Sequence, residues 1–254
     1  MVAEWDWSDP RVADESVEQI MDDLATFESV SPSPLERPFR RDDISDLGID
    51  GIEFATFKTS HPSGLSSDIV PARSTATATE PGRMYLIDGR WRFVQADVTD
   101  PLPFDDDTFD WIYAEHLLEH LSLRDAIAWL TEARRILRPG GVLRLSTPDL
   151  ELYMRGYLSG SFFDDHRRIV DENLPLPAMP TRRAFMVNQI FAFYGHQWIY
   201  DFDEVVFALT EAGFRAAEVE RMSFGQGARA DVAALDQAHR SDESMYIEVV
   251  PGAN

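Results

Sequence analysis

Apolar positions along this chain follow two periods, and the change falls near residue 50. Over residues 14–30 they recur at helical spacing, with Val17, Ile20, Met21, Leu24 and Phe27 on one face, until Ser31, Pro32, Ser33 and Pro34 break the run. This predicts an N-terminal helix and linker over 1–50 and a second unit over 51–254. Within that unit, β-prone runs at 53–57, 65–70, 91–96, 108–114 and 142–146 read as strands. Residues 73–89, rich in Ser, Thr, Ala and Gly, read as a loop. Residues 124–137 place Ile127, Leu130, Ala133, Ile136 and Leu137 at helical spacing and stop at Arg138, Pro139, Gly140 and Gly141. Residues 150–195 read as irregular helix rich in aromatics, 203–212 as a helix closed by Gly213, and 216–224 and 244–250 as the last strands. Strand–helix alternation of this kind predicts an α/β fold: an open, mostly parallel, Rossmann-like sheet with helices on both faces. Ligands in such sheets sit beyond the carboxyl ends of the strands.

Charge narrows the function. The chain carries 45 acidic and 23 basic residues, a net charge of -22, and residues 1–50 alone hold 14 acidic and 4 basic groups. Such a surface repels phosphate, so neither nucleic acid nor anionic membrane is an expected partner. With no cysteine, disulfides, thiolate metal sites and thiol nucleophiles are excluded. No apolar run approaches the roughly 18 residues of a membrane span, and the first residues lack a basic, then apolar, leader pattern. A cytoplasmic location is expected, and a homodimer stays possible.

The stretch 93–149 contains LPF, FD, EHLLEHL, LRPGGVL and STPD in order. It resembles the core of class I S-adenosylmethionine (SAM)-dependent methyltransferases, closest to a group of predicted small-molecule methyltransferases. Gly195-His196-Gln197-Trp198-Ile199-Tyr200-Asp201 and residues 240–248 are similar to the same group. The resemblance implies a seven-stranded sheet with its last strand antiparallel, SAM over the carboxyl ends of the first strands, and a small organic acceptor, as in biosynthetic tailoring. It places Asp97 at the adenine amino group, Val98 along the adenine face, Asp68 on the ribose hydroxyls, and Glu115 and His116 beside the methionine half.

One feature departs from that group. Where a glycine loop normally follows the first strand, this chain has Phe57, Lys58 and Thr59, side chains expected in or near the methionine half of the site. Three readings stay open. SAM is held by Thr59, Ser60 and backbone amides; or it binds in an altered pose for non-methyl chemistry such as cyclisation; or the fold serves as a non-catalytic binding or scaffold member. For methyl transfer, candidate bases are His116, His196 and Asp149. His196, amid Phe191, Phe193, Tyr194, Trp198 and Tyr200, is the preferred substrate-side group. Tyr153, Arg155 and Tyr157 are candidates for the acceptor pocket, with Arg155 suited to a carboxylate. Glu115, Glu119 and His120 show no tight ligand spacing, so no metal site is expected. Asp105, Asp106 and Asp107 read as a solvated turn.

Overall fold

The computed structural model describes residues 26–31, 37–73, 77–173 and 180–252. The strands are β1 (Phe27–Ser29), β2 (Gly51–Phe54), β3 (Gly64–Asp68), β4 (Met84–Ile87), β5 (Trp91–Gln95), β6 (Phe109–Glu115), β7 (Leu137–Pro148), β8 (Val219–Met222) and β9 (Ser244–Val249). The helices are α1 (Arg41–Ser45), α2 (Leu123–Ile136), α3 (Leu150–Ser159), α4 (Phe162–Asn173), α5 (Arg183–Ala192), α6 (Phe202–Glu211) and α7 (Ala230–Ala233).

One sheet orders the strands β1-β4-β5-β3-β2-β6-β7-β9-β8. The block β5-β3-β2-β6-β7 is parallel, and β9 runs antiparallel beside β7. Among the described residues nine strands are present rather than the seven expected, because β1 and β4 add an antiparallel pair beyond β5. Both additions fall where other structure was expected. Most of the helix predicted at 14–30 lies outside the described residues, but its last part, Phe27–Ser29, is extended and pairs with Met84–Ile87 through Phe27↔Ile87 and Ser29↔Tyr85. Edge pairing wins there over helical spacing. In the same way Met84–Ile87 is a strand inside the segment read as a loop. Residues 216–224 hold only the four-residue β8, preceded by a 3-10 turn at Ala216–Glu218.

Helices cover one face. Ser122 starts α2 by accepting the amide of Asp125 on its hydroxyl (3.2 Å), and Asp201 caps α6 through the amide of Glu204 (2.9 Å). Their buried stripes, Ala126, Trp129, Leu130 and Ala133 with Val205, Ala208 and Leu209, close over Ile52, Phe54, Ile112 and Leu145 in a single cluster. Trp129 meets Phe54 edge-on at 5.6 Å, and burying one such side chain contributes roughly 1.5–3 kcal/mol. Phe39, Ile44 and Ile49 join this cluster, so residues just before 51 are part of the core.

The other face differs from the expected second helical layer. Among the described residues it is covered by the short α7, the segment 223–240 and the connection between β2 and β3. That connection is residues 55–63 and contains no helix, although parallel neighbours usually need a helical crossover of a dozen residues or more. Beyond the carboxyl end of β7, α3, α4 and α5 gather around a second cluster of Tyr153, Phe163, Val170, Phe185, Met186, Ile190 and Ile199. No helix among the described residues is long and apolar enough to cross a membrane.

Candidate functional site

Parallel register brings acids to one edge of the sheet. Asp68 ends β3 opposite Gln95 of β5, Asp97 follows two residues on, and Glu115 ends β6. Burial pushes the Asp68 carboxyl up to about 6, against hydrogen bonds from the amides of Val70 and Ile69. Asp97 uses Oδ1 to accept from the amide (2.9 Å) and hydroxyl (2.7 Å) of Thr99; Oδ2 has no hydrogen bond among the described residues. Val98 packs at the margin of the main core. Burial raises the Glu115 carboxyl, opposed by the amide of Gln237, which donates to Oε1 at 3.0 Å.

Phe57, Lys58 and Thr59 do not project into this edge. β2 ends at Phe54, and the next residue, Ala55, takes the left-handed φ of +57° that favours glycine, turning the chain back over the second face. Phe57 stacks on Phe93 at 5.9 Å, and the Lys58 ammonium lies 4.7 Å from the centre of the Trp91 ring. Thr59 is buried over the first half of β3, its amide donating to Ser66 Oγ (2.9 Å) and its hydroxyl accepting from the amide of His61 (3.1 Å). Thr59 is therefore withdrawn from the strand ends where a cofactor contact was expected, and Ser60 beside it is exposed. Each bulky residue gains a partner on the sheet face that it would lack at the edge.

Beneath this loop sits Glu53, a buried carboxylate one residue before the end of β2. Burial pushes it up to about 7, Thr59 partly offsets this, and the Glu115 charge adds to it; Oε2 has no hydrogen bond among the described residues. A folded-state value above the ordinary one near 4.5 means the native protein holds this proton more tightly than the unfolded chain. The associated stability is present at low pH and is lost as pH rises from about 4.5 to about 7. Glu53→Gln is expected to be more stable than the parent at pH 8, by up to roughly 3 kcal/mol, and no more stable at pH 4. Urea unfolding at both values checks this; equal differences at the two pH values would refute it.

A second group of polar side chains surrounds Glu119. The 3-10 turn Leu118–His120 follows β6 through His116, whose φ of +51° swings the chain back. His116 Nδ1 then lies 2.9 Å from Glu119 Oε1, while Nε2 contacts Ser244 Oγ at 2.7 Å. Ser244 donates its hydroxyl to the carbonyl of Arg240 (2.8 Å), so its oxygen accepts from His116 Nε2. Thr147 donates to Glu119 Oε2 at 3.0 Å. Burial opposes ionisation of Glu119, but attraction to the neighbouring His116, and then to the imidazoles of His120 and His196, holds it down to about 2. His196 Nδ1 contacts the carbonyl of Ile190 at 2.6 Å, and its ring stands 4.9 Å from His120 and 5.6 Å from Tyr194. The structure thus joins Glu119 to His116 and His120 to His196, groups whose spacing along the chain suggested no such cluster.

Other expected site residues are differently employed. Both oxygens of Asp149 are engaged: Oδ1 caps α3 through the amides of Glu151 and Leu152, and Oδ2 pairs with Arg221. Tyr153 is fully buried, donating to Glu243 Oε2 (2.5 Å) and lying 3.0 Å from His166 Nε2. Arg155 is exposed and paired with Glu151 at 2.6 Å; Tyr157 is exposed. Trp198 donates its indole N–H to Glu204 (2.9 Å). The buried Tyr200 hydroxyl has no hydrogen-bond partner among the described residues, and burial with the nearby charges of Glu119 and Glu204 raises its pKa. His166, paired with Asp242 at 2.9 Å, went unnoticed in the sequence, where nothing marks it as polar core.

A methyltransferase-domain family profile matches residues 65–145. Among solved structures, the methyltransferase held with the Haloferax volcanii Trm112 methyltransferase activator is 18% identical, with 80% of this chain and 83% of that one covered and a TM-score of 0.43. A SAM-dependent methyltransferase of Mesorhizobium loti is 18% identical over 79% of this chain and 90% of its own, with a TM-score of 0.42. An O-methyltransferase family protein of Burkholderia thailandensis is 13% identical, with 84% of this chain aligned to 55% of that one at a TM-score of 0.45, so this chain spans about half its length. No curated protein matches the sequence. The profile match bears out the resemblance drawn from the sequence: residues 65–145, from β3 into β7, match a methyltransferase-domain profile.

Proposed function

We propose that the protein is a SAM-dependent methyltransferase acting on a small organic molecule. The observation that carries this reading is that the profile match spans the strands whose carboxyl ends present Asp68, Asp97 and Glu115 along one edge. Adenosine offers hydrogen-bond donors there, an amino group and two ribose hydroxyls, and carboxylates are acceptors. Asp97, with Oδ2 uncommitted, suits the amino group, and Asp68 suits a hydroxyl. The adenosyl half therefore fits these residues. For the methionine half no glycine cradle exists at the end of β2: Ala55 makes the turn, the amide of Thr56 is committed to the carbonyl of Ser67 (3.1 Å), and Glu115 follows Ala114, the register partner of Phe54.

When bound, the cofactor supplies a methyl group on a positively charged sulfur. The protein's part is to hold the acceptor in line and exclude water. His196 fits the substrate side: a carbonyl accepts its Nδ1 proton, which leaves a lone pair on Nε2. His116 and Asp149 are spent on structural contacts.

Calorimetry tests the reading. SAM and S-adenosylhomocysteine are each expected to bind, and Asp97→Ala to weaken both by about 1–3 kcal/mol, or roughly 5- to 150-fold. Absence of heat with either ligand would favour a scaffold member of the fold. Consumption of SAM without formation of S-adenosylhomocysteine would favour non-methyl chemistry.

A further inference from the structure

We propose that Glu119, His120 and His196 form a binding site for one divalent transition-metal ion, with zinc the best-matched ion. A carboxylate oxygen and one ring nitrogen from each histidine lie within 4.8 Å of one another. Zinc at about 2.0–2.2 Å from three such atoms holds them roughly 3.5 Å apart, so closing the cluster asks each side chain to move by less than about 1 Å. Two imidazoles and a carboxylate are the donor types that suit this ion.

Three further features favour an ion over chance proximity. First, the two ligand-bearing segments are stitched together: the amide of Gln197 donates to the carbonyl of Glu119 (2.7 Å), and its side-chain amide donates to the carbonyl of His120 (2.7 Å). Second, His196 is held in the tautomer a ligand needs. Its Nδ1 faces the carbonyl of Ile190 at 2.6 Å, a group that only accepts, so Nδ1 carries the proton and Nε2 the lone pair. Third, Thr147 fixes the Glu119 carboxylate through Oε2 while its buried Oε1 has no hydrogen-bond partner among the described residues, and the His120 ring likewise makes none and only meets His196 edge-on. Glu119 is buried, but His120 and His196 are partly exposed. The ion therefore has an entry path, and three protein ligands leave a position for water or an oxygen of a small molecule. With the ion in place the Nε2 lone pair of His196 is spent on it, and activation of an acceptor oxygen falls to the ion. Ion binding does not depend on the cofactor reading above.

The test is metal uptake by the intact chain, freed of metal by chelator and titrated with Zn²⁺. One equivalent is expected to bind and raise the melting temperature. Co²⁺ is expected to give visible d–d absorption that Zn²⁺ abolishes. His120→Ala and His196→Ala are each expected to lower Zn²⁺ affinity by about 100-fold or more, whereas His239→Ala leaves it unchanged. Melting curves without metal show whether each variant is folded. The Co²⁺ spectrum of the parent chain also decides alone, since its absence rules the site out. No stoichiometric Zn²⁺ uptake, or uptake untouched by both histidine variants, would overturn the proposal.

Discussion

Arg144→Ala is expected to destabilise the protein by about 3–5 kcal/mol, because it strips the cation from a fully buried ion-pair network. Arg144 lies on β7, facing away from the main helical layer. Its Nε and Nη2 grip the two oxygens of Asp236 at 2.8 and 2.6 Å, and Nη1 reaches Glu248 at 2.8 Å. The guanidinium also donates to the carbonyl of Gln226 (3.0 Å), while the amides of Gly225 and Ala228 donate back to Asp236 and Glu248 (both 2.7 Å). Without the arginine, two carboxylates remain buried with no countercharge. Lysine cannot reproduce the fork, so Arg144→Lys should recover little. A triple variant, Arg144→Met with Asp236→Asn and Glu248→Gln, is expected to regain at least half of the loss, since no charge is left buried. Denaturant unfolding of the three proteins measures this. A loss below about 1 kcal/mol for Arg144→Ala would mean that water enters and solvates the acids. The network also hangs the segment 223–240 on the sheet, and Gln237 of that segment caps Glu115. Amide exchange in 223–240 should therefore accelerate before the rest of the chain opens.

The sheet was legible in the sequence wherever a run of apolar and β-branched residues stood between clear breakers. The runs at 53–57, 65–70, 91–96 and 108–114 each overlap a strand, and Arg138-Pro139-Gly140-Gly141 marks where α2 has given way to β7. The misreadings share a cause. Phe27–Ser29 and Met84–Ile87 are short edge strands whose extended state is set by their mutual pairing, an interaction across 55 or more residues that local spacing does not register. The acids at strand ends could be placed from the sequence because a strand end and a register suffice to locate Asp68, Asp97 and Glu115. The cluster at Glu119 could not. His116 and Glu119 meet at 2.9 Å through the left-handed backbone at His116 and the 3-10 turn that follows it, a geometry that no pattern of apolar positions announces. His196 joins only through the folding of α3 to α5, a route that no spacing in the chain discloses.

Gly51→Ala is expected to cost at least about 3 kcal/mol, an unusually large effect for one methyl group on a strand. Gly51 opens β2 opposite Trp111 of β6, and a Cβ there would lie 1.9 Å from Cε2 of the indole. Trp111 is fully buried, so it cannot retreat without leaving a void. It also anchors the helix-free connection 55–63 from below. Its Nε1 donates to Asp50 Oδ1 (2.8 Å), which accepts from Ser63 Oγ (2.5 Å) as well, and His61 packs on the indole at 4.6 Å. Gly51 therefore allows a large side chain to do the work that a crossover helix does elsewhere, holding β2 beside β3 and fixing the turn at Ala55. Trp111→Leu should be costly in the parent but nearly neutral in the Gly51→Ala background, because the smaller side chain makes room for the new methyl. Additive losses in that cycle would show that Trp111 does not occupy the space above Gly51. Since Ala55 borders the proposed cofactor edge, Gly51→Ala should also weaken S-adenosylhomocysteine binding at temperatures where the variant is still folded, whereas Arg144→Ala, acting through 223–240, should disturb the Glu115 end of the same edge.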